Sequence, residues 1–287
     1  MSRGIQGRAV ARKAAAAAPA DDGSDGGGGG VLCAPGALFE LTATLAGLRG
    51  RRALLDGPLA ECAFNAPAEG CLLPGGGLLV ADTGNNALRF IARGTEAVST
   101  LVGAPWLAPR SPICTRDGGM VAVCDSGHNK VRLLELSWGG GGAEDGPPGH
   151  VYETPLAGRG PAGHVDGDSA EAEFNGPAGL ACLPDGSLLV ADTRNNCVRR
   201  IAPRRARAGC VVSTIAGEPG APPGRVDGVG RAARCVLHDR ALHSPIAAAG
   251  AHARVRVARR RFSGPVALAV DASGVVLVAD AGNDAVG

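Results

Sequence analysis

The sequence predicts an all-β protein that is built from similar four-stranded antiparallel sheets. Segments 82–91 and 192–201 share the pattern Asp-Thr-x-Asn-Asn-x-(Leu/Val)-Arg-x-Ile. Each segment begins 26 residues after another aspartate, Asp56 or Asp166. Short apolar runs alternate with turns rich in Gly, Pro, Asn and Asp, which is typical of short strands. Repetition at a fixed spacing indicates one structural unit used several times.

The copy at 166–216 divides into a lead-in loop and four strands. The loop is polar and closes on an apolar anchor, Phe174. An Asp-Gly turn at 185–186 separates the first two strands. The predicted strands of this copy are 178–183, 188–191, 197–201 and 211–216. Sequences like the fourth strand recur at 41–46, 98–102 and 152–157.

The shared polar residues are predicted to have a structural role, and no catalytic residue is predicted. We expect each aspartate to accept hydrogen bonds from amides of the turn that follows it, as an Asx turn. The asparagines tolerate left-handed backbone, and the arginine alternates with apolar residues along its strand. The candidate repeat-motif residues are Asp82, Asn85, Asn86, Arg89, Asp125, Asn129, Arg132, Asp192, Asn195, Asn196, Arg199, Asp280 and Asn283.

The copy at 117–134 is divergent. It keeps a turn, a strand, Asp125 and Arg132 but lacks the Asp-Gly lead-in. We align Pro112 with the proline that opens the other copies. This makes its distance to Asp125 13 residues, against 15 from Pro67 to Asp82.

These segments resemble the NHL repeat family. The residues that carry the resemblance are 82–91, 125–134, 192–201 and 280–286, with the apolar strands before them. The lead-in Asp-Gly-x6-Phe-x2-Pro is similar to the long-blade NHL repeats of plants and algae. The resemblance implies a β-propeller of four-stranded antiparallel blades. About four blades are expected here, the fourth interrupted, so the propeller is expected to be incomplete.

The domain organisation follows from composition. Residues 1–30 contain Arg3, Arg8, Arg12 and Lys13 with no acidic residue before Asp21, which is typical of a disordered tail or a transit peptide. Residues 31–287 form the predicted repeat domain. The sequence ends within a motif, at 280–287, and we expect a truncated domain.

The composition of the chain limits the classes of function and the compartments that we expect. A net charge of +2 predicts no strong attraction to nucleic acid or anionic membranes. Nine cysteines without C-x-x-C spacing favour free thiols in a reducing compartment. No apolar run is long enough to span a membrane. We expect an intracellular protein, in the cytosol or an organelle, with the plastid as one candidate.

The resemblance implies a non-catalytic scaffold that binds a protein partner through its loop faces, and no metal or cofactor is predicted. One alternative is a propeller hydrolase or lyase with a metal in the channel. The six histidines, including His164, share no repeat position that would build such a site. The other alternative is RNA binding. Its candidate basic patch contains Arg199, Arg200, Arg204, Arg205 and Arg207.

The fourth copy is interrupted. Asp227 lies 53 residues before Asp280, and removing residues 235–261 restores the spacing of 26. The segment is either an arginine-rich surface loop able to contact phosphate or, as we prefer, a translated intron. We expect the main spliced transcript to lack the codons for 235–261. A main transcript that retains them would leave only the loop interpretation.

Overall fold

The computed structural model describes most of the repeat domain. The described residues are 44–94, 96–116, 118–138, 147–204, 209–217, 226–227, 259–261, 263–271, 275–283 and 285–286. The predicted tail, 1–30, lies outside these residues. Of the predicted insert, only 259–261 is described. Within the described ranges, no helix has the length and apolar character that crossing a membrane requires.

The first sheet contains a four-stranded antiparallel meander and one short additional strand. Its strands are β1 (Gly57–Pro58), β2 (Gly70–Leu72), β3 (Leu78–Asp82), β4 (Ala87–Ile91) and β5 (Ala97–Val102). Their spatial order is β1-β5-β4-β3-β2. The lead-in loop therefore returns to the outer strand of its own sheet, where β1 pairs with β5.

The second sheet is a plain meander without the lead-in strand. Its strands are β6 (Pro109–Cys114), β7 (Met120–Asp125), β8 (Lys130–Ser137) and β9 (His150–Ala157), in that spatial order.

The third sheet repeats the first. Its strands are β10 (Gly167–Asp168), β11 (Pro177–Cys182), β12 (Leu188–Asp192), β13 (Cys197–Pro203) and β14 (Cys210–Ala216). The order β10-β14-β13-β12-β11 is that of the first sheet. The predicted strands of this copy are confirmed to within a residue or two at each end.

The remaining strands form two smaller groups. A short antiparallel pair joins β15 (Val226–Asp227) to β16 (Arg259–Arg261). The fourth sheet has the order β17 (Pro265–Val270), β18 (Val276–Asp280) and β19 (Ala285–Val286). The all-β fold class is confirmed, in several antiparallel sheets.

Apolar layers between successive sheets form the core. Phe90, Trp106 and Val123 pack between the first and second sheets. Phe174, Leu180 and Val131 are among the residues between the second and third, and Leu189 and Val278 pack between the third and fourth. A middle strand such as β12 is covered on both faces, so all five of its residues are buried. Its sequence is accordingly apolar up to the aspartate.

The first strands of neighbouring sheets converge. The backbone amide of Leu180 in β11 donates to the Ser111 hydroxyl of β6, at 2.9 Å. On the other side of β11, Gly179 faces the backbone of β17. A Cβ atom on Gly179 would lie 2.7 Å from the Val266 carbonyl oxygen and 2.9 Å from the Ala267 Cα. Glycine therefore permits this close approach of two sheets.

Two details of the sequence interpretation were wrong. Residues 44–46 are not a strand, and 41–43 lie outside the described residues. Pro109, not Pro112, pairs with Asp125 as Pro177 pairs with Asp192. The spacing is therefore one residue longer than in the other copies, because the hairpin turn after β6 contains one additional residue.

We predict that Gly179→Ala destabilises the fold by about 1–3 kcal/mol, because its methyl group would collide with backbone that cannot rotate away. Gly103→Ala is the matched control, since no atom lies within 4 Å of its Cβ position. The control should stay within about 0.5 kcal/mol of the wild type. Denaturant unfolding measures both values. Equal stabilities of the two variants would contradict the close approach of β11 and β17.

Candidate functional site

A fully buried arginine lies at the centre of the third sheet. Arg199 has no exposed side-chain surface, yet each of its five N–H groups has an acceptor. Nε and Nη2 donate to Asp166 Oδ1 at 3.0 and 2.6 Å. Nη1 donates to Asp192 Oδ2 at 2.9 Å and to the Glu173 carbonyl at 3.0 Å. Nη2 also donates to the Val165 carbonyl at 2.7 Å.

The first sheet contains the same network. Arg89 is fully buried and donates to Asp56 and Asp82, at shortest distances of 2.7 and 2.8 Å. Its other acceptors are the carbonyls of Ala63 and Leu55, at 2.9 and 2.7 Å. The two copies thus have the same geometry. In each, the arginine guanidinium links the aspartate that ends β3 or β12 to the lead-in loop.

The lead-in loop is fixed by two further contacts. The guanidinium carbon of Arg199 lies 5.0 Å from the centre of the Phe174 ring, the predicted apolar anchor, in a cation–π arrangement. Asp166 also accepts hydrogen bonds from the amide and hydroxyl of Thr214 in the outer strand, at 2.9 and 3.2 Å. Asp56 binds Thr100 in the same way. The lead-in aspartate therefore links the arginine to the outer strand.

The motif aspartates do not cap the following turn as expected for an Asx turn, and the backbone amide that each accepts lies upstream in the chain. Asp192 Oδ1 accepts the amide of Asn175, 17 residues earlier, at 2.8 Å. Its Oδ2 accepts Nδ2 of Asn195 at 2.8 Å. Asp82 likewise accepts the backbone amide of Asn65 and the side-chain amide of Asn85, both at 2.7 Å. In both copies the following turn is a 3₁₀ turn that receives no cap from the aspartate side chain.

Burial is the main influence on the titration of Asp192. It raises the pKa of this carboxyl, while the hydrogen bonds from Asn175, Asn195 and Arg199 act in the opposite direction. The bonded geometry is that of an ionised carboxylate, because all of these neighbours are donors.

The second asparagine of each motif links one sheet to the next. Asn86 and Asn196 adopt left-handed backbone, with φ of 54°. The side-chain oxygen of Asn86 accepts the amide of Ala108 at 2.8 Å, and that of Asn196 accepts the amide of Gly264 at 2.9 Å. Asn129 has the same φ and accepts the amide of Gly176 at 2.9 Å. Each amide immediately precedes the first strand of the next sheet.

A hydroxyl next to the motif aspartate makes a parallel link. Thr83 Oγ1 donates to the carbonyl of Pro109 at 2.8 Å, and Thr193 Oγ1 donates to that of Pro265 at 2.6 Å. Ser126 donates to Pro177 at the corresponding position. Sequence reasoning missed both sets of links, because their partners are backbone groups of the next sheet.

The divergent second sheet builds a reduced network. Arg132 donates to Asp125 at 2.6 Å and lies 3.6 Å from Glu153. Trp106 takes the place of the phenylalanine, with its ring centre 4.9 Å from the guanidinium carbon. His128 occupies the first asparagine position and lies 3.0 Å from Asp125. Without a lead-in loop above it, Arg132 keeps 19% of its side chain exposed.

The fourth sheet shows part of the motif. Asp280 is buried, and its Oδ1 accepts the amide of Ser263 at 2.7 Å. Asn283 lies in the 3₁₀ turn Ala281–Asn283 that follows it.

The proposed basic patch is not assembled as expected. Arg199 is buried in its network, so it presents no charge to a ligand. Arg200 pairs with Asp185 at 2.6 Å, and Arg204 pairs with Asp168. Arg205 and Arg207 lie outside the described residues.

His164 belongs to the network around Arg199. Its Nε2 lies 2.8 Å from the Thr214 hydroxyl. Burial, and next the positive charge of Arg199, lower the pKa of His164. Across the described part of the chain, no three His, Cys, Asp or Glu side chains group closely enough to hold a metal ion.

The motif turns and the hairpin turns lie at opposite ends of the second strands. We call the end formed by the turns at 73–77, at 115–116 with 118–120, and at 183–187 the hairpin face. It contains a cavity of about 160 Å³ between the first and second sheets. The lining includes Pro74, Met120, Leu136 and Trp138. An apolar cavity of about 150 Å³ can hold one benzene-sized group, so this cavity is large enough for one such side chain.

The comparisons with known proteins agree with the repeat. A family model described as NHL repeat matches residues 174–201. Over 93 residues the chain is 34% identical to Protein SUPPRESSOR OF QUENCHING 1, chloroplastic, of Arabidopsis thaliana, covering 32% of this chain and 8% of that protein. Over 102 residues it is 30% identical to NHL repeat-containing protein 2 of Gallus gallus, covering 36% and 12%. The chain thus spans a small part of these relatives.

Solved structures resemble the fold. An auxiliary nutrient binding protein from Bacteroides ovatus matches with a TM-score of 0.54 at 15% identity, covering 79% of this chain and 49% of that one. An auxiliary nutrient binding protein from Bacteroides thetaiotaomicron matches with a TM-score of 0.50 at 14% identity, covering 74% of this chain and 44% of that one. At such identities the likeness concerns the fold alone. The repeated sheets define a protein of the β-propeller class. More specifically, residues 174–201 of the third sheet match the NHL repeat.

We predict that Arg199→Ala lowers the free energy of unfolding by about 3–5 kcal/mol, because it leaves the buried Asp192 without its counter-charge. Arg200→Ala is the matched control. Its partner Asp185 is half exposed, so the loss should stay below about 1 kcal/mol. Denaturant unfolding of both variants provides the comparison. A loss at Arg199 no larger than that at Arg200 would show that the buried network adds nothing to stability.

Proposed function

We propose that the chain is a non-catalytic propeller scaffold that binds a protein partner through its hairpin face. The observation that carries the proposal is the apolar cavity on this face. Met120 lines it and is itself 37% exposed, and Leu72 nearby along the same end is 71% exposed. Exposed apolar surface around a concave site is typical of protein interaction sites.

The distribution of polar groups supports the same face. At the motif end, the Asp, Asn and Thr side chains of the turns are used in bonds within and between sheets, as for Asp192 and Asn196. At the hairpin face, the indole N–H of Trp138 is buried and has no hydrogen-bond partner among the described residues. A partner that inserts an apolar side chain would fill the cavity.

A pair of matched substitutions tests the proposal. Met120→Arg places a charge at the cavity, and Leu107→Arg places one near the motif turn of the same sheet, where Leu107 is 42% exposed. We expect proteins captured by the wild type to be retained by Leu107→Arg and lost, by tenfold or more, with Met120→Arg. Quantitative mass spectrometry of the captured proteins measures this, followed by titration of the purified partner.

Other outcomes would contradict the proposal. If binding of a partner is unchanged by Met120→Arg but lost with Leu107→Arg, the interface lies at the motif end instead. Turnover of lactone or ester substrates by the purified protein with added divalent metal would favour the hydrolase or lyase alternative. A salt-dependent shift of single-stranded RNA would favour nucleic-acid binding.

We also propose that the protein is intracellular and resides in a plastid. The support is the presence of four basic and no acidic residues in 1–20, and the word chloroplastic in the name of the Arabidopsis relative. A fluorescent fusion of the full chain should colocalise with chlorophyll in plant cells, and deletion of 1–30 should abolish this. A cytosolic signal from the full-length fusion would reject the plastid.

A further inference from the structure

Two thiols meet across the junction between the first and second sheets. Cys71 lies in β2 and Cys114 in β6, the converging first strands of these sheets. The Cys114 thiol donates a hydrogen bond to the carbonyl of Leu72, the residue directly after Cys71, at 3.3 Å. Both are half-buried free cysteines that pack on the same apolar layer. The two strands therefore hold the two thiols close to each other.

The contact changes the acidity of the pair. The hydrogen bond from Cys71 lowers the pKa of Cys114 to about 7, and the same bond raises the pKa of Cys71. By contrast, burial raises the pKa of Cys62 and of Cys124. Since the thiolate is the nucleophile, Cys114 is the cysteine of this group that is best prepared to react near neutral pH.

We propose that Cys71 and Cys114 form a redox-modification site, at which a hydroperoxide converts the two thiols into a disulfide that joins the first and second sheets. The Cys114 thiolate attacks the terminal peroxide oxygen, the O–O bond breaks, and the leaving hydroxide or alkoxide takes up a proton to become water or an alcohol. Cys114 is then a sulfenic acid. The Cys71 sulfur attacks the Cys114 sulfur, the S–O bond breaks, and the hydroxide combines with the Cys71 proton as water. Both thiols are oxidised and the peroxide is reduced.

The position of the pair gives the disulfide a structural consequence. The link would close a loop from 71 to 114 that contains most of the first sheet. It would also fix the edge of the junction where the core cluster of Leu79, Phe90 and Val123 lies. Restricting the unfolded chain in this way raises the midpoint of thermal unfolding.

The test uses the purified full-length chain, reduced and then treated with hydrogen peroxide. Trypsin places Cys71 in peptide 53–89 and Cys114 in peptide 111–116. We expect these peptides to be cross-linked without reductant, and to separate after reduction. Because peptide 53–89 also contains Cys62, the control is Cys62→Ser, which should still form the cross-link. Cys71→Ser should not form it, and its Cys114 should accumulate a sulfenic acid that dimedone traps.

The oxidised wild type should unfold thermally at a midpoint higher by roughly 5 °C or more, and Cys71→Ser should show no such rise. Circular dichroism of the reduced variants establishes that each is folded before oxidation. Absence of the 71–114 cross-link in the folded wild type would overturn the proposal. So would a cross-link that survives Cys71→Ser and disappears with Cys62→Ser.

Discussion

A guanidinium held between two carboxylates beneath the lead-in loop is the interaction on which the repeated sheets depend. Burying a charge is costly unless it is paired and fully hydrogen-bonded. Arg89 and Arg199 meet this condition, because each has an acceptor for every N–H group. The requirement explains why the lead-in aspartate, the motif aspartate and the arginine recur together at fixed spacing.

The same motif also assembles the sheets into a larger structure. Asn86 and Thr83 contact the chain just where the next sheet begins, and Asn196 and Thr193 do so one junction later. Each repeat therefore builds its own sheet and positions its successor, as expected when stability is shared between neighbouring repeats. Polar groups used in this way are engaged at the motif end, whereas the hairpin face keeps an apolar cavity beside Met120.

The sequence predicted the strands well and the side-chain partners poorly. Strand β12 was predicted at 188–191 and observed at Leu188–Asp192, because turn residues and apolar runs mark both ends. The burial of Arg199 was missed, since arginine is usually exposed and its carboxylate partners lie 7 and 33 residues away. The partner of Asn196 is a backbone amide, which leaves no sequence signal. The contact of Cys71 with Cys114 likewise depends on how two sheets pack, which a repeat spacing does not reveal.

A double-mutant cycle at Asp192 and Arg199 tests the buried network most directly. The free energies of unfolding of Asp192→Ala, Arg199→Ala and the double variant are compared with that of the wild type. The network predicts that the double variant loses much less than the two single losses combined, with a coupling above about 1 kcal/mol. Losses that add to within about 0.3 kcal/mol would show that the two residues act independently, and would contradict the account.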